Sequence, residues 1–188
     1  MKNRALFWWF LGNNFMRYYV MKRTDDFEIV LSLRTHGWSS FYFIIDGAHY
    51  ELVASHVFCE PYTALINSLM LLLEGEFETE FIMYGEPCGN KITIKRIKEQ
   101  KHIIQVDVFD FSECYGTSIK RFDEVVGFET YFEQFLLGCY LQLKKISLLM
   151  SNKVFNKDRK DDFPFAEYKL FEKKILLQFP KLSLPLYP

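Results

Sequence analysis

The stretch Phe27–Ser55, FEIVLSLRTHGWSSFYFIIDGAHYELVAS, decides the fold. Phe27, Ile29, Leu31 and Leu33 alternate with Glu28, Val30, Ser32 and Arg34, the period of two of a half-buried strand. Thr35-His36-Gly37 then puts glycine where a three-residue hairpin needs a left-handed residue, which makes His36 a turn residue. Pairing Arg34 with Trp38 sets Leu33 opposite Ser39, Leu31 opposite Phe41, Ile29 opposite Phe43 and Phe27 opposite Ile45. Asp46-Gly47 is a two-residue hairpin signal that independently pairs Ile45 with Ala48, Phe43 with Tyr50 and Phe41 with Leu52. Both turns select the same core face, and a slip of one residue in either would exchange the faces.

The same register defines the opposite face. Val30, Trp38, Tyr42, Ile44, His49, Glu51 and Val53 lie there, a mixture of aromatic and charged residues too apolar for plain solvent and typical of contact patches. Trp38, Tyr42, Ile44, His49 and Glu51 are therefore the expected partner-binding residues. A protein partner, a twin subunit in a homodimer, or the aromatic N-terminal segment would cover them.

His49 and His56 are seven residues apart on one strand, so they leave on opposite faces and about 23 Å separates them at roughly 3.3 Å per residue. They cannot share a metal, and no stoichiometric zinc is expected. His56 falls on the core face at the strand's end, as a hydrogen-bonded structural histidine. Cys59 precedes Glu60-Pro61-Tyr62, which reads as a helix start with proline at the first position. A thiol there can have a lowered pKa, with His56 as its base, and this pair defines the alternative of a cysteine-dependent enzyme.

The helix from Pro61 to Glu74, closed by Gly75, carries Tyr62, Leu65, Ile66, Leu69 and Leu73 on one stripe that Leu71 and Leu72 broaden. A second meander follows: Phe77, Thr79, Phe81 and Met83; the turn Glu86-Pro87-Cys88-Gly89; Ile92 and Ile94; then Ile104, Val106 and Val108. Pairing Gly85 with Asn90 sets Met83 against Ile92, Phe81 against Ile94 and Glu80 against Lys95. Phe122 to Met150 has helical spacing through Val125, Phe128, Phe132, Phe135, Leu136, Cys139, Leu143, Ile146 and Met150. Lys153 to Asp162 is a charged connector, and Pro164 starts a last helix with Phe165, Tyr168, Phe171 and Ile175 inward. The expected class is α+β: one antiparallel sheet of about six strands, two three-stranded meanders each followed by a helix, with helices on one face. Residues 1–24 form an aromatic-rich N-terminal segment, 25–179 a single domain and 180–188 a proline-containing tail.

An apolar fraction of 49% with 25% charged residues is that of a globular chain with a real core. A net charge of −1 gives no electrostatic case for nucleic acid, and the basic run from Lys91 is thin, because Arg96 falls with the core set. The acidic run Glu74, Glu76, Glu78 and Glu80 reads as a solvated face. The apolar run Ala5–Leu11 is shorter than the roughly 18 residues of a spanning helix, and no signal-peptide cleavage pattern follows it. Cys59, Cys88, Cys114 and Cys139 are widely spaced, which fits reduced thiols in the cytoplasm. Phosphate-loop, dinucleotide, zinc-protease and nucleophile-elbow motifs are missing, and no cofactor is expected.

Leu52-Val53-Ala54-Ser55 ending a strand, a helix, Gly85-Glu86-Pro87-Cys88-Gly89 before an Ile/Lys strand, and Asp162-Phe163-Pro164 opening a final helix together resemble a group of small bacterial proteins. Their genes lie near polymorphic toxins, which makes them candidate immunity proteins. The resemblance spans roughly residues 27–179. It implies an antiparallel sheet backed by helices and a non-enzymatic role in binding a toxin.

Overall fold

The computed structural model describes residues 23–159 and 162–183, so the N-terminal expectation falls almost wholly outside the described residues. Strands β1 (Phe27–Leu33), β2 (Trp38–Ile45) and β3 (Ala48–Ser55) form an antiparallel sheet in the order β1-β2-β3. Its registers are those the two turns dictate, from Phe27 opposite Ile45 to Leu33 opposite Ser39, and from Ile45 opposite Ala48 to Phe41 opposite Leu52. Positive φ at His36 and Gly37, and again at Asp46 and Gly47, supplies the turn geometry that the right-handed strand twist requires.

Helix α1 (Pro61–Leu73) follows, then β4 (Glu78–Tyr84), β5 (Gly89–Ile97), β6 (Gln100–Phe111) and β7 (Asp123–Tyr131) in one antiparallel sheet of that order. Helix α2 (Phe132–Met150), the short α3 (Lys153–Asn156), α4 (Phe165–Gln178) and a 3-10 turn at Pro180–Ser183 complete the described chain. The class is α+β. The expected single sheet of about six strands is corrected to two sheets of three and four strands among the described residues.

The additional strand is β7, which helical spacing had absorbed into the following helix. Val125-Val126-Gly127-Phe128 is β-branched and glycine-containing, a poor helix start, and it pairs Val126 with Val108 and Phe128 with Val106. The β4–β5 register is also corrected: Met83 meets Asn90, Phe81 meets Ile92 and Glu80 meets Thr93. The four-residue loop is Gly85–Cys88, one residue earlier than expected, with the Gly85 amide donating to the Cys88 carbonyl at 2.7 Å. Gly89 is thereby a strand residue. A Cβ there would collide with the Met83 carbonyl and the Phe111 ring. The two-residue shift keeps the faces but changes the ion pairs to Glu80–Lys91 at 2.8 Å and Glu78–Lys95 at 3.2 Å.

Both sheets turn their apolar faces to one core shared with the helices. Phe27 stacks on Phe128 of the second sheet at 5.0 Å and on Phe135 of α2 at 5.7 Å, while Phe41 meets Tyr62 of α1 at 5.5 Å. Tyr140 of α2 meets Phe171 of α4 at 6.3 Å. Fully burying a side chain such as Phe41 stabilises the fold by about 2–3 kcal/mol. Leu71 and Phe165, expected inward, are exposed, because α1 and α4 bury narrower stripes through Tyr62, Leu65, Ile66, Leu69 and Leu72, and through Tyr168, Phe171 and Ile175. Arg96, on the inner face of β5, donates to the Leu72 carbonyl at the end of α1 and lies over the Phe132 ring.

The outer edge of β1 is closed by long polar side chains. Lys145 donates to the Leu31 carbonyl at 3.0 Å, Arg159 to the Leu33 carbonyl at 2.8 Å, and Gln142 accepts from the Leu31 amide at 3.3 Å. An edge satisfied in this way does not template pairing with another strand.

Candidate functional site on the outer face of the first sheet

Because β2 pairs on both sides, outer-face side chains stand in cross-strand rows: Glu28–Ile44–His49, Val30–Tyr42–Glu51 and Ser32–Ser40–Val53. Trp38, Tyr42, Ile44, His49 and Glu51 are thus brought onto one face. Trp38, Tyr42 and Ile44 are half-buried, and His49 and Glu51 are exposed. The helices meet this sheet from the other side, through Ile29 against Gly138 and Phe41 against Tyr62.

The middle row is a hydrogen-bonded network. The Glu51 carboxylate accepts from the hydroxyls of Ser40 and Tyr42, each at 2.9 Å, and pairs with the Arg34 guanidinium, which also donates to the Tyr42 hydroxyl at 3.0 Å. The bonds from Ser40 and then Tyr42 hold the Glu51 carboxyl below its ordinary value. The bond to Tyr42 leads the causes that raise Arg34. Tyr42 is therefore held in place by its polar end while its ring stays at the surface, the arrangement of a preorganised aromatic anchor. Arg34 and Ser40 were missed as site residues. Both share the strand parity of Val30 and Tyr42, so the signal was present.

The face continues into a groove of about 520 Å³ where β3 meets the β4–β5 loop. Trp38, Val53 and Phe111 wall it, and Glu51, Glu86 and Asp110 line it as well. The Ser55 hydroxyl donates to Glu86 at 3.0 Å, tying the loop to the first sheet. Burial raises the Asp110 carboxyl, against the hydrogen bond from the Asn90 amide. Strand alternation says nothing about how two sheets abut, so nothing local in the sequence announces this groove.

His56 and Cys59 do not form an activated pair. The His56 Nε2 is hydrogen-bonded to the Ser39 hydroxyl at 2.7 Å, and its Nδ1 lies 3.7 Å from the Asp162 carboxylate. Cys59 accepts from the Tyr84 amide at 3.3 Å, and burial pushes its thiol up, the reverse of the lowered pKa expected at a helix start. Ser39, His56 and Asp162 stand in the order of a nucleophile, base and orienting acid. Ser39 is 0% exposed, however, so its hydroxyl is closed to a substrate. The three residues knit β2, the end of β3 and the segment before α4.

Among the described residues no group of three or more His, Cys, Asp or Glu could hold a metal ion, and no helix is long and apolar enough to cross a membrane. The four cysteines are free thiols. No family model, curated protein or solved structure matches the chain, so function is read from the site itself.

Proposed function

We propose that the chain is a non-enzymatic protein-binding module of the cytoplasm that neutralises a partner, in the manner of the toxin-immunity proteins it resembles. Tyr42 is the observation that carries the reading. It is an aromatic side chain fixed by Arg34 and Glu51, half-exposed on a sheet face that the described helices leave to solvent. Trp38 and Ile44 flank it, and the adjoining groove offers a recess for a partner's side chain. Rigid aromatic residues ringed by polar groups are the usual core of a protein–protein contact. Co-expression with any toxin-domain protein found encoded beside its gene tests the proposal. Rescue of growth and a co-purifying complex, both lost with Tyr42→Arg, are expected; no rescue and no complex would overturn it.

A further inference from the structure

Strand β7 is the last strand of the second sheet, with β6 on one side only. Among the described residues no side chain caps its free edge in the way that Lys145 and Arg159 cap β1. What meets that edge is the start of the described chain. Arg23 forms an isolated parallel bridge with Glu129, and the Thr24 amide donates to the Glu129 carbonyl at 2.9 Å. The Arg23 guanidinium lies on the Glu129 side of the sheet, donating to that carboxylate at 3.3 Å and to the Gln100 side-chain oxygen at 2.8 Å, while Thr24 is buried. Backbone groups of alternate strand residues point the same way, so Gly127 also turns its amide and carbonyl to this edge. Among the described residues neither group has a backbone partner there.

The chain just before Arg23 suits the vacancy. Tyr18-Tyr19-Val20 is aromatic and β-branched, the residue types that favour strands. Residues 1–23 contain no Asp or Glu, whereas β7 carries Asp123, Glu124 and Glu129 and no Lys or Arg. A parallel bridge fixes direction as well as place, which carries the chain preceding Arg23 back along β7 toward these carboxylates.

We propose that residues 18–22 of this same chain dock on the β7 edge as a further strand of the second sheet, parallel to β7. The bridge sets the register: Met21 stands opposite Gly127 and Tyr19 opposite Val125. The Gly127 amide then donates to the Val20 carbonyl, and the Lys22 amide donates to the Gly127 carbonyl. Tyr19 and Met21 share the outer side with Arg23, Tyr18 and Val20 the inner side with Thr24. Arg17 falls beside Asp123 and Glu124, and the bulge at Val125 keeps the ladder short. The sheet edge is closed by main-chain bonds to its own chain, which removes it as a template for another.

The test uses full-length chain as an equal mixture of isotope-labelled and unlabelled protein, so that filtered NMR spectra separate contacts within a chain from contacts between chains. Nuclear Overhauser contacts between the backbone protons of Lys22 and Gly127, within one chain, are expected. Val20→Pro deletes an amide that the ladder uses, and should speed exchange of the Gly127 amide by at least about tenfold. The Phe128 amide, which faces β6, should keep its rate and so report an intact sheet. Asn13→Pro, outside the strand, should change neither amide. Contacts between chains would put a second copy at the edge and overturn the proposal. So would contacts from residues 18–22 to another surface, or a Gly127 amide that exchanges equally fast in the unaltered chain and in Val20→Pro.

Discussion

Tyr42 and Glu51 face each other across β2 and β3, and the tyrosine hydroxyl donates to the carboxylate at 2.9 Å. Ser40 donates to the same carboxylate, so Ser40→Ala or Tyr42→Phe should raise the Glu51 pKa toward its ordinary 4.5. The folded-state value lies below the unfolded one, so this stabilisation is complete above pH 4.5 and disappears as pH falls through the folded value. Glu51 is 41% exposed at its side chain, which limits the effect to under about 1 kcal/mol. Carboxyl-carbon titration by NMR checks the shift; an unchanged Glu51 pKa in both variants would contradict the network.

His56 has the opposite linkage. Burial, partly opposed by Asp162 and Glu60, lowers its pKa below 6.5, so the unfolded chain binds the proton first. Stability should fall as pH drops below about 6.5 and level off beneath the folded value. His56→Asn should flatten the pH profile in that window while losing about 1–3 kcal/mol through the broken bond to Ser39. Denaturant melts between pH 5 and pH 8, at roughly half-unit steps around the histidine range, measure both effects.

The closed edge of β1 predicts a gain of association. Lys145→Ala with Arg159→Ala removes charged donors from the Leu31 and Leu33 carbonyls and should cost about 1 kcal/mol per bond. The double variant should also self-associate, seen by light scattering, while Lys169→Ala at an exposed position of α4 should not.

At neutral pH, Cys59 should alkylate more slowly than an unfolded-chain cysteine, because burial raises its thiol. Exposed Cys88 and Cys114 serve as fast internal references in the same mass-spectrometric experiment. Cys59→Ser should leave partner binding intact. Rapid alkylation of Cys59 with an apparent pKa below about 8.5 would revive the cysteine-enzyme reading.

The first sheet was legible because two short turns, Thr35-His36-Gly37 and Asp46-Gly47, fix register independently and agree. The second sheet was legible by face but not by partner. Glu86-Pro87-Cys88-Gly89 reads as a turn, and the pairing of Gly89 with Tyr84 on one side and with Phe111, distant in sequence, on the other shows that glycine to be in the strand. Strand β7 was hidden because Val125, Phe128 and Phe132 fit helical spacing by chance, and the strand partner that overrides that spacing, Val106 to Val108, lies on β6. The outer-face residues followed from parity. Glu86 and Asp162 did not, since each reaches its neighbours through packing between elements that are far apart in the chain.

The central claim, that the face around Tyr42 docks a protein partner, is tested most directly by one paired measurement on Tyr42→Arg: a denaturant melt and a titration against a protein partner that binds the unaltered chain. Tyr42 is only half-buried, so the substitution should lower folding stability by less than about 1 kcal/mol. Loss of a central aromatic anchor should weaken binding by about 2 kcal/mol or more, roughly thirtyfold in Kd. Unfolding of the variant would show that the face is core, and a folded variant with unchanged affinity would place the interface elsewhere.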